Sequence, residues 1–403
     1  MDVREVMGAV LTLSMFIMLG NMVKRDHFDG DVLMDVPKSS HVGQDFTTMI
    51  SHTLFQLPSQ STKNYGQRLK LCWNNSSPTK VTAQSKGYVT FSLTDGPEYH
   101  ISQVANAVLV AKLLGATLVL PEIIGSKGEK RSFEEIYDVE KFVTSMSGVI
   151  QVEKRKRHQT STRKPVDVKV PYNANPNYIT TNVGPIFQTT QNVRVISYLP
   201  SSTRDMNPYS CWATFEALRL KPELQELVDS VVAKLRSRET NGEFVAIDYK
   251  SEMLGTNICR SNANERMKNC YNPVEIAKFL QRIGYPRDSM IYVTQTKADR
   301  SLRPLTDLYP NTLTKEDIMQ EAMKNRLNSE LENEIIDFHV CSVSEVFVPA
   351  KSGLFYANVA GNRIATSRTD ILVPAQITSN LAQDHVSSYI AKANHPAYAC
   401  FCK

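Results

Sequence analysis

The feature that most constrains the fold is a strand–helix–strand pattern in residues 87–123. "GYVTFSL" alternates and is rich in β-forming residues, "HISQVANAVLVAKLLG" has apolar residues at helical spacing, and "ATLVLPEI" is typical of a second buried strand. Gly115 stands where it can end the helix. Such a βαβ unit places its two strands parallel in one sheet, so the sequence predicts an α/β fold.

The pattern returns in the second half of the chain. "GEFVAIDYK" and "SMIYVTQT" predict strands, and "NPVEIAKFLQRIGY" predicts a helix with Asn272 as its cap and Pro273 at its first position. "NEIIDFHV" predicts a further strand, followed by a serine-rich loop and a helix. Because 403 residues exceed the usual domain of about 100 to 200, two Rossmann-like domains with a cleft between them are expected, at 86–220 and 221–403.

The amino-terminal segment predicts a membrane anchor. Residues 6–23 carry no charge, and 18 helical residues reach ~27 Å, enough to cross a thin bilayer. A cleaved signal peptide is the alternative, but no small-residue cleavage site follows. Residues 1–5 are then a cytosolic tail and 24–85 a stem. The overlapping sequons at Asn74 and Asn75 favour a type II protein whose larger part is luminal and glycosylated.

The seven cysteines do not show the spacing of a zinc site. They fit a few disulfides in an oxidising compartment, and Cys259 with Cys270 is the favoured pair. Asp29-Gly30-Asp31 resembles the D-x-D metal motif of some glycosyltransferases, but it follows the predicted anchor rather than a buried strand. No bound metal or other cofactor is expected.

The charge of the chain points to no nucleic-acid partner. A net charge of +5 on 403 residues is mild. The basic run from Lys154 to Arg157 is compatible with nucleic-acid binding or nuclear localisation. With a membrane anchor upstream, a solvated loop is the favoured interpretation.

Ligands of parallel sheets bind where the strands end, and two such places carry polar residues. After the first strand come Gly96, Tyr99 and His100, which form a candidate wall of an active site. The strand "FVAID" runs into Asp248 and Lys250. A fixed cation at that point can stabilise the charge that develops on a leaving diphosphate. The alternatives are a structural histidine and a solvent-facing lysine.

The loop "CSVSEVFVPAKSG" is a second candidate for phosphate binding. Ser342, Ser344 and Ser352 offer hydroxyl groups that can hold a phosphate, although serine-rich loops are also common as simple turns. Asp337 before the loop and Glu345 within it can accept hydrogen bonds from a base or ribose, or can cap a helix.

A family resemblance covers nearly the whole chain. "VANAVLVAKLLGATLVLPEI", "SFEEIYDVEKF", "FVAIDYKSEM", "MIYVTQT" and "IIDFHVCSVSEVFVPAKSGLFYANVAGNRI" stand in the order found in plant O-fucosyltransferase-like glycosyltransferases, which the chain resembles. The head of the chain, "KGYVTFSLTDGPEYHISQ" and the tail "YACFCK" are similar to the mannan synthesis-related group of that family. The resemblance implies a GT-B fold with an acceptor-side first domain and a nucleotide-sugar second domain. It also implies a Golgi membrane setting, no metal, a GDP-sugar as donor and a role in mannan or glucomannan synthesis.

The chain departs from the family pattern at two points. The family shows a histidine and an arginine where this chain has Asp248 and Lys250, and lysine lacks the bidentate fork of arginine. The glycine-rich turn keeps only Gly96, with Ser102 or Gln103 where an arginine is expected. Glu345 replaces a family aspartate, while the family residues Phe347, Pro349 and Gly353 are present.

The resulting functional hypothesis is a metal-independent, inverting glycosyltransferase. Such a transfer needs a base for the acceptor hydroxyl, and Asp248, Glu252 and His100 are the available candidates. The alternative hypothesis is a non-catalytic accessory protein that supports a mannan synthase, and the two departures motivate it.

Overall fold

The computed structural model describes residues 68–73, 84–94, 96–125, 128–154, 164–199, 206–239, 241–255, 259, 270–319, 330–374 and 379–402. Several predictions fall outside these ranges: the cytosolic tail, the anchor at 6–23, most of the stem, the D-x-D motif, the sequons at Asn74 and Asn75, and most of the basic run. Within the described ranges, no helix has the length and apolarity needed to cross a bilayer.

The first lobe is built on a five-stranded parallel sheet. Its strands in chain order are β1 (Tyr88–Phe91), β2 (Leu93–Thr94), β3 (Thr117–Leu120), β4 (Glu122–Ile124), β5 (Lys130–Ser132), β6 (Val152–Lys154), β7 (Val166–Pro171) and β8 (Asn192–Tyr198). The main sheet has the order β6-β3-β1-β8-β7 and all its pairs are parallel. The short strands β2, β4 and β5 form a separate small sheet. The predicted βαβ unit is therefore confirmed.

The helices of the first lobe pack around that sheet. They are α1 (Pro97–Leu114), α2 (Phe133–Ile136), α3 (Val139–Met146), α4 (Pro176–Tyr178), α5 (Gly184–Thr190) and α6 (Pro208–Trp212). The next helix, α7 (Pro222–Arg236), packs against helices of the second lobe. π-helical turns at Ile179–Val183 and Ala213–Ala217 join α4 to α5 and extend α6. Helix α1 ends at Gly115, whose φ of 64° is left-handed, so the predicted glycine cap is confirmed.

The second lobe is a smaller parallel sheet with its own helices. Its strands are β9 (Val245–Asp248), β10 (Ile291–Val293), β11 (Thr312–Leu313) and β12 (Val346–Pro349), in the order β11-β10-β9-β12. Its helices are α8 (Pro273–Arg282), α9 (Arg303–Leu308), α10 (Lys315–Ile318), α11 (Glu330–Val343), α12 (Leu354–Ala365) and α13 (Ser388–Ala391). Short 3₁₀ turns lie at Ser251–Gly255, Arg300–Leu302, Ala382–His385 and Pro396–Cys400. Asn272 caps α8, as predicted.

One secondary-structure prediction is wrong. The segment "NEIIDFHV" lies in helix α11, and the strand comes later, at β12. Ile335, Ile336, Phe338 and Val340 are all buried, because α11 packs between the sheet and other helices. A helix that is apolar on several sides shows no clear period, so its short apolar run is typical of a buried strand as well.

The two lobes meet where the strands of both sheets end. Helices α11 and α12 of the second lobe pack against α1 of the first, and a single apolar cluster continues across the junction. The side-chain amide of Asn358 on α12 donates a hydrogen bond to the main-chain carbonyl of Glu98 on α1, at 2.5 Å. The α/β architecture of two parallel-sheet lobes is confirmed, while the boundary at residue 220 remains a prediction.

The carboxyl-terminal tail returns to the first lobe. Disulfides join Cys211 to Cys400 and Cys72 to Cys402, and Leu71 pairs with Phe401 in an isolated β-bridge. The remaining disulfide is the predicted one between Cys259 and Cys270. Cys341 is a buried free thiol. The tail thus fastens the end of the chain to helix α6 and to the segment that precedes β1.

We expect Cys400→Ser to lower the free energy of unfolding by about 2 to 4 kcal/mol, since its bond to Cys211 spans 189 residues and constrains the unfolded chain. Urea unfolding under oxidising conditions measures the difference. Reduction of both proteins is the control, and the difference should then largely vanish. A variant as stable as the wild type in oxidising buffer contradicts a stabilising role for this bond.

Candidate active site

Strand β9 leads into two charged residues, Asp248 and Lys250, at the junction of the lobes. Asp248, at the carboxyl end of β9, is nearly buried and accepts a 3.4 Å hydrogen bond from the hydroxyl of Thr294, which follows β10. Burial raises the pKa of Asp248 to about 6, against the lowering effect of Lys250 and Lys351. The Asp248 carboxyl group can therefore change its charge close to neutral pH.

Lys250 lies half-buried two residues farther along. Burial acts to lower the pKa of its ammonium group, but the carboxylates of Asp337, Glu334, Asp248 and Glu98 outweigh burial and raise that pKa. These carboxylates come from both lobes, since Glu98 belongs to α1 and Glu334 to α11. Lys250 is consequently a fixed positive charge at the lobe junction.

Glu98, in the first turn of α1, has its carboxyl group close to those of Glu334 and Asp248. Its Oε2 atom is buried and has no hydrogen-bond partner among the described residues. Burial raises the pKa of Glu98 to about 7, and the charges of Glu334 and Asp248 act in the same direction. The carboxyl group of Glu98 can therefore change its charge close to neutral pH.

Gly96 allows this close approach of acids from two lobes. A Cβ atom at residue 96 would lie 2.4 Å from Oε2 of Glu98 and 2.9 Å from Oε2 of Glu334. The φ of Gly96 is −83°, which any residue can adopt, and a larger residue at this position would have to displace the ends of these two glutamate side chains. Tyr99 lies beside Glu98 in the same first turn and is half-buried.

A buried charge pair lies near Lys250. Asp337 on α11 accepts hydrogen bonds from Lys315 at 2.8 Å and from the hydroxyl of Tyr292 at 2.6 Å, and all three side chains are buried. Lys315 also donates to the carbonyl of Asn333. Asp337 therefore contributes negative charge near Lys250 from a position that its partners hold fixed.

The loop between β12 and α12 completes the edge of the sheet. Lys351 and the exposed Ser352 lie there, and Gly353, with φ of 145°, leads into the twelve-residue helix α12. This φ favours glycine, which leaves the backbone open at the start of the helix. A lysine, a hydroxyl group and helix amide groups are thus close together at the same sheet edge as Lys250.

The described residues show no cluster of three or more acidic, histidine or cysteine side chains arranged to hold a metal ion. A pocket of about 190 Å³ lies elsewhere, lined by Lys234, Ser237, Arg238, Asp317, Ile318 and Met319. None of the predicted site residues belongs to that pocket. The chemically distinctive region is the packed junction around Lys250 and Glu98.

Comparison with known proteins assigns the family. Residues 101–366 match the family model described as GDP-fucose protein O-fucosyltransferase. The chain belongs to this family. It is 44% identical to Protein MANNAN SYNTHESIS-RELATED 1 of Arabidopsis thaliana, across 100% of this chain and 99% of that protein, and 44% identical to Protein MANNAN SYNTHESIS-RELATED of Trigonella foenum-graecum, with the same coverage. A crystal structure of apo POFUT1 is 12% identical, with a TM-score of 0.49, and covers 73% of this chain and 99% of that one.

This O-fucosyltransferase family member is therefore a protein of the glycosyltransferase class, as the sequence motifs predicted. Its fold brings together Gly96, Asp248, Lys250 and Asp337 at the lobe junction, with Ser352 at the same edge of the second sheet. The catalytic and binding roles predicted for these residues remain predictions.

The other predicted phosphate-binding residues of this O-fucosyltransferase family member lie elsewhere. Ser342 and Ser344 are buried at the end of α11, which is the amino edge of the second sheet, opposite Lys250. Their hydroxyl groups donate to the carbonyls of Phe338 and Cys341. Phe347 is a core residue of β12. The structure does not bring these side chains together with Lys250, because the residues before β12 form a helix.

Glu345 lies at that same amino edge. Its carboxylate accepts hydrogen bonds from Arg236 at 3.0 Å, from Arg368 at 3.4 Å and from the main-chain amide of Phe244 at 3.0 Å. These contacts tie α7 and the segment before β9 to the start of β12. Glu345 thus orders the sheet in this structure rather than facing the lobe junction.

His100 lies inside the first lobe. It is fully buried, and its Nδ1 atom is 2.7 Å from the hydroxyl of Tyr137. Glu252, the third base considered from the sequence, is exposed on the 3₁₀ turn after β9. Asp248 is therefore the one sequence-derived base candidate that faces Lys250.

Two residues of the junction, Glu98 and Glu334, were not predicted from the sequence. Glu98 follows Pro97 in the first turn of α1, and its place at the carboxyl edge of a parallel sheet was a sufficient signal to select it. Glu334 could not be found in this way, because its segment was predicted as a strand. Its position opposite Gly96 follows only from the packing of α11 on α1.

Proposed function

We propose that this protein is a metal-independent, inverting glycosyltransferase that transfers a sugar from a GDP-sugar to a mannan-type polysaccharide. The family description supports a GDP-sugar donor, and the names of the mannan synthesis-related relatives support the acceptor class. The two parallel-sheet lobes are those expected of a GT-B enzyme. The predicted anchor and sequons support a type II protein of the Golgi membrane.

The observation that carries the proposal is the position of Lys250. A half-buried ammonium group lies at the junction of two lobes, where the strands of both sheets end. As the sugar–phosphate bond breaks, negative charge grows on the diphosphate, and a cation fixed in a partly desolvated place stabilises that charge. Lys351 and the amide groups that begin α12 supply further positive potential on the same side.

The carboxylates around Lys250 favour a second candidate function. Glu98, Asp248, Glu334 and Asp337 all act on its charge, and their negative potential opposes the approach of a diphosphate. Lysine also stands where the family shows arginine. A non-catalytic accessory protein of a mannan synthase complex is compatible with these two features.

A donor survey separates the two functions. The full-length chain, purified in mild detergent, is incubated with a panel of GDP- and UDP-sugars and manno-oligosaccharide acceptors, and nucleotide release and acceptor extension are both measured. We expect acceptor-dependent release of GDP from one GDP-sugar, without added metal. No release from any donor, with the protein still required for mannan synthesis in cells, supports the accessory function instead.

A further inference from the structure

We propose that Glu98 is the general base that removes the proton from the acceptor hydroxyl. This assignment rests on the proposed glycosyl transfer and names the group that the reaction needs beside Lys250. In an inverting displacement, the acceptor oxygen loses its proton as it attacks the anomeric carbon. The side chain that takes this proton must be ionised, close to the donor site and able to form a new hydrogen bond.

The position of Glu98 meets the geometric requirement. It lies on the first-lobe side of the junction, facing the second-lobe residues Asp248, Lys250 and Glu334. Asn358 on α12 donates to its main-chain carbonyl, so contact between the lobes holds this turn of α1 in place. Glu98 and the predicted donor site at Lys250 therefore face each other from the two lobes.

One carboxylate oxygen of Glu98 is available to accept a hydrogen bond. Its Oε2 atom is buried without a hydrogen-bond partner among the described residues. A buried polar atom in this state costs free energy until a donor group binds it. The hydroxyl of an acceptor sugar is such a donor group.

The competing bases are less suitable. Asp248 accepts a hydrogen bond from Thr294, lies within the influence of Lys250 and Lys351, and belongs to the same lobe as the predicted donor site. His100 is enclosed against Tyr137, and Glu252 is exposed on its turn. Glu98 is the candidate that combines burial, an open oxygen atom and a position on the opposite lobe.

The chemical step balances with these groups alone. The acceptor O–H bond breaks, and its proton passes to the carboxylate of Glu98. The acceptor oxygen forms the new bond to the anomeric carbon, while the bond from that carbon to the diphosphate breaks and its electron pair stays on the phosphate oxygen. The ammonium group of Lys250 stabilises this growing charge.

The pKa of Glu98 predicts the pH dependence. Its folded-state pKa of about 7 lies above the usual 4.5, so the carboxylate that accepts protons becomes the main form only above pH 7. The groups facing it are Glu334 on α11, Asp248 and Lys250 after β9, and Tyr137 after α2. Transfer should therefore rise with pH through about 7 and then level off.

The test is Glu98→Gln in the full-length chain, measured with the active donor and a manno-oligosaccharide. We expect kcat to fall by a factor of about 10² to 10⁴, with GDP affinity changed less than about threefold and the pH limb near 7 lost. Glu140→Gln is the matched control, because Glu140 is an exposed residue at the same position of the first turn of α3. It should transfer like the wild type.

Protein stability gives a second readout. A carboxyl group whose pKa is raised by folding stabilises the folded state below its unfolded pKa, and that contribution is lost as pH rises through its folded pKa. Glu98→Gln should therefore melt no lower than the wild type at about pH 8. If the glutamine variant does not fold, Glu98→Asp, which keeps the charge and shortens the side chain, should fold and show reduced kcat with the pH limb retained.

The outcomes are separable. A wild-type chain that turns over no donor rejects the proposed function and this assignment together. An active wild type with an equally active Glu98→Gln variant rejects the base assignment alone. Loss of transfer accompanied by loss of GDP binding also rejects it, because Glu98 would then be needed for the donor site rather than for the proton.

Discussion

Lys250→Ala is expected to lower glycosyl transfer by a factor of about 10² to 10³, the usual effect of removing one fixed donor that stabilises developing charge. The loss should be larger in kcat than in KM for the acceptor, because the ammonium group acts on the leaving diphosphate. Steady-state release of GDP with saturating acceptor measures it. Lys250 is half-buried and holds no core position, so the variant should fold.

Two further variants make this experiment decisive. Lys278→Ala removes an exposed lysine from α8 and should transfer like the wild type. Lys250→Arg keeps the charge and supplies the bidentate fork of the family pattern, so activity should be retained. Full transfer by Lys250→Ala contradicts the assigned role of the ammonium group. If Lys250→Arg loses transfer activity as Lys250→Ala does, a role based on charge alone is contradicted.

Arg363→Met is expected to cause the largest loss of stability, about 3 to 5 kcal/mol in the free energy of unfolding. The guanidinium group of Arg363 is fully buried, and burial lowers its pKa to about 10. It donates to the carbonyls of Cys341, Ser344, Glu345 and Asp370, at 2.7 to 3.0 Å. Its removal takes one donor from each of these carbonyl groups, although Cys341 keeps the Ser344 hydroxyl and Asp370 keeps the amide of Phe347 as donors.

Chemical denaturation followed by circular dichroism measures this loss. Arg303→Met is the control, since Arg303 is exposed at the start of α9 and its replacement should change stability by less than about 0.5 kcal/mol. If Arg363→Met unfolds at the same denaturant concentration as the wild type, the hydrogen bonds from Arg363 to these carbonyl groups do not stabilise the fold.

The architecture was predictable wherever local signals agreed. The alternation before Gly96, the helical spacing up to Gly115 and the Asn272-Pro273 cap each predicted an element that the structure contains. Helix α11 was not predictable from its period, because it is buried on several sides. Because of that one error, Ser342, Ser344 and Glu345 were predicted to lie at the site, whereas they lie at the opposite edge of the sheet.

The site was predictable only in part, for a physical reason. Asp248 and Lys250 follow a buried strand, and the carboxyl-edge rule for parallel sheets located them directly. Glu334 reaches the junction through the packing of α11 on α1, a contact between residues far apart in sequence. The raised pKa of Glu98 likewise arises from burial between the lobes, and a local sequence pattern does not predict that burial.

Calorimetric titration of the full-length wild type and Lys250→Ala with GDP tests the central claim most directly, because it measures diphosphate binding without requiring an acceptor. The structure predicts that GDP binds the wild type and that its affinity falls at least about tenfold in Lys250→Ala, while Lys278→Ala binds like the wild type. Equal GDP affinity in wild type and Lys250→Ala, or no binding to either, contradicts a diphosphate site at the lobe junction.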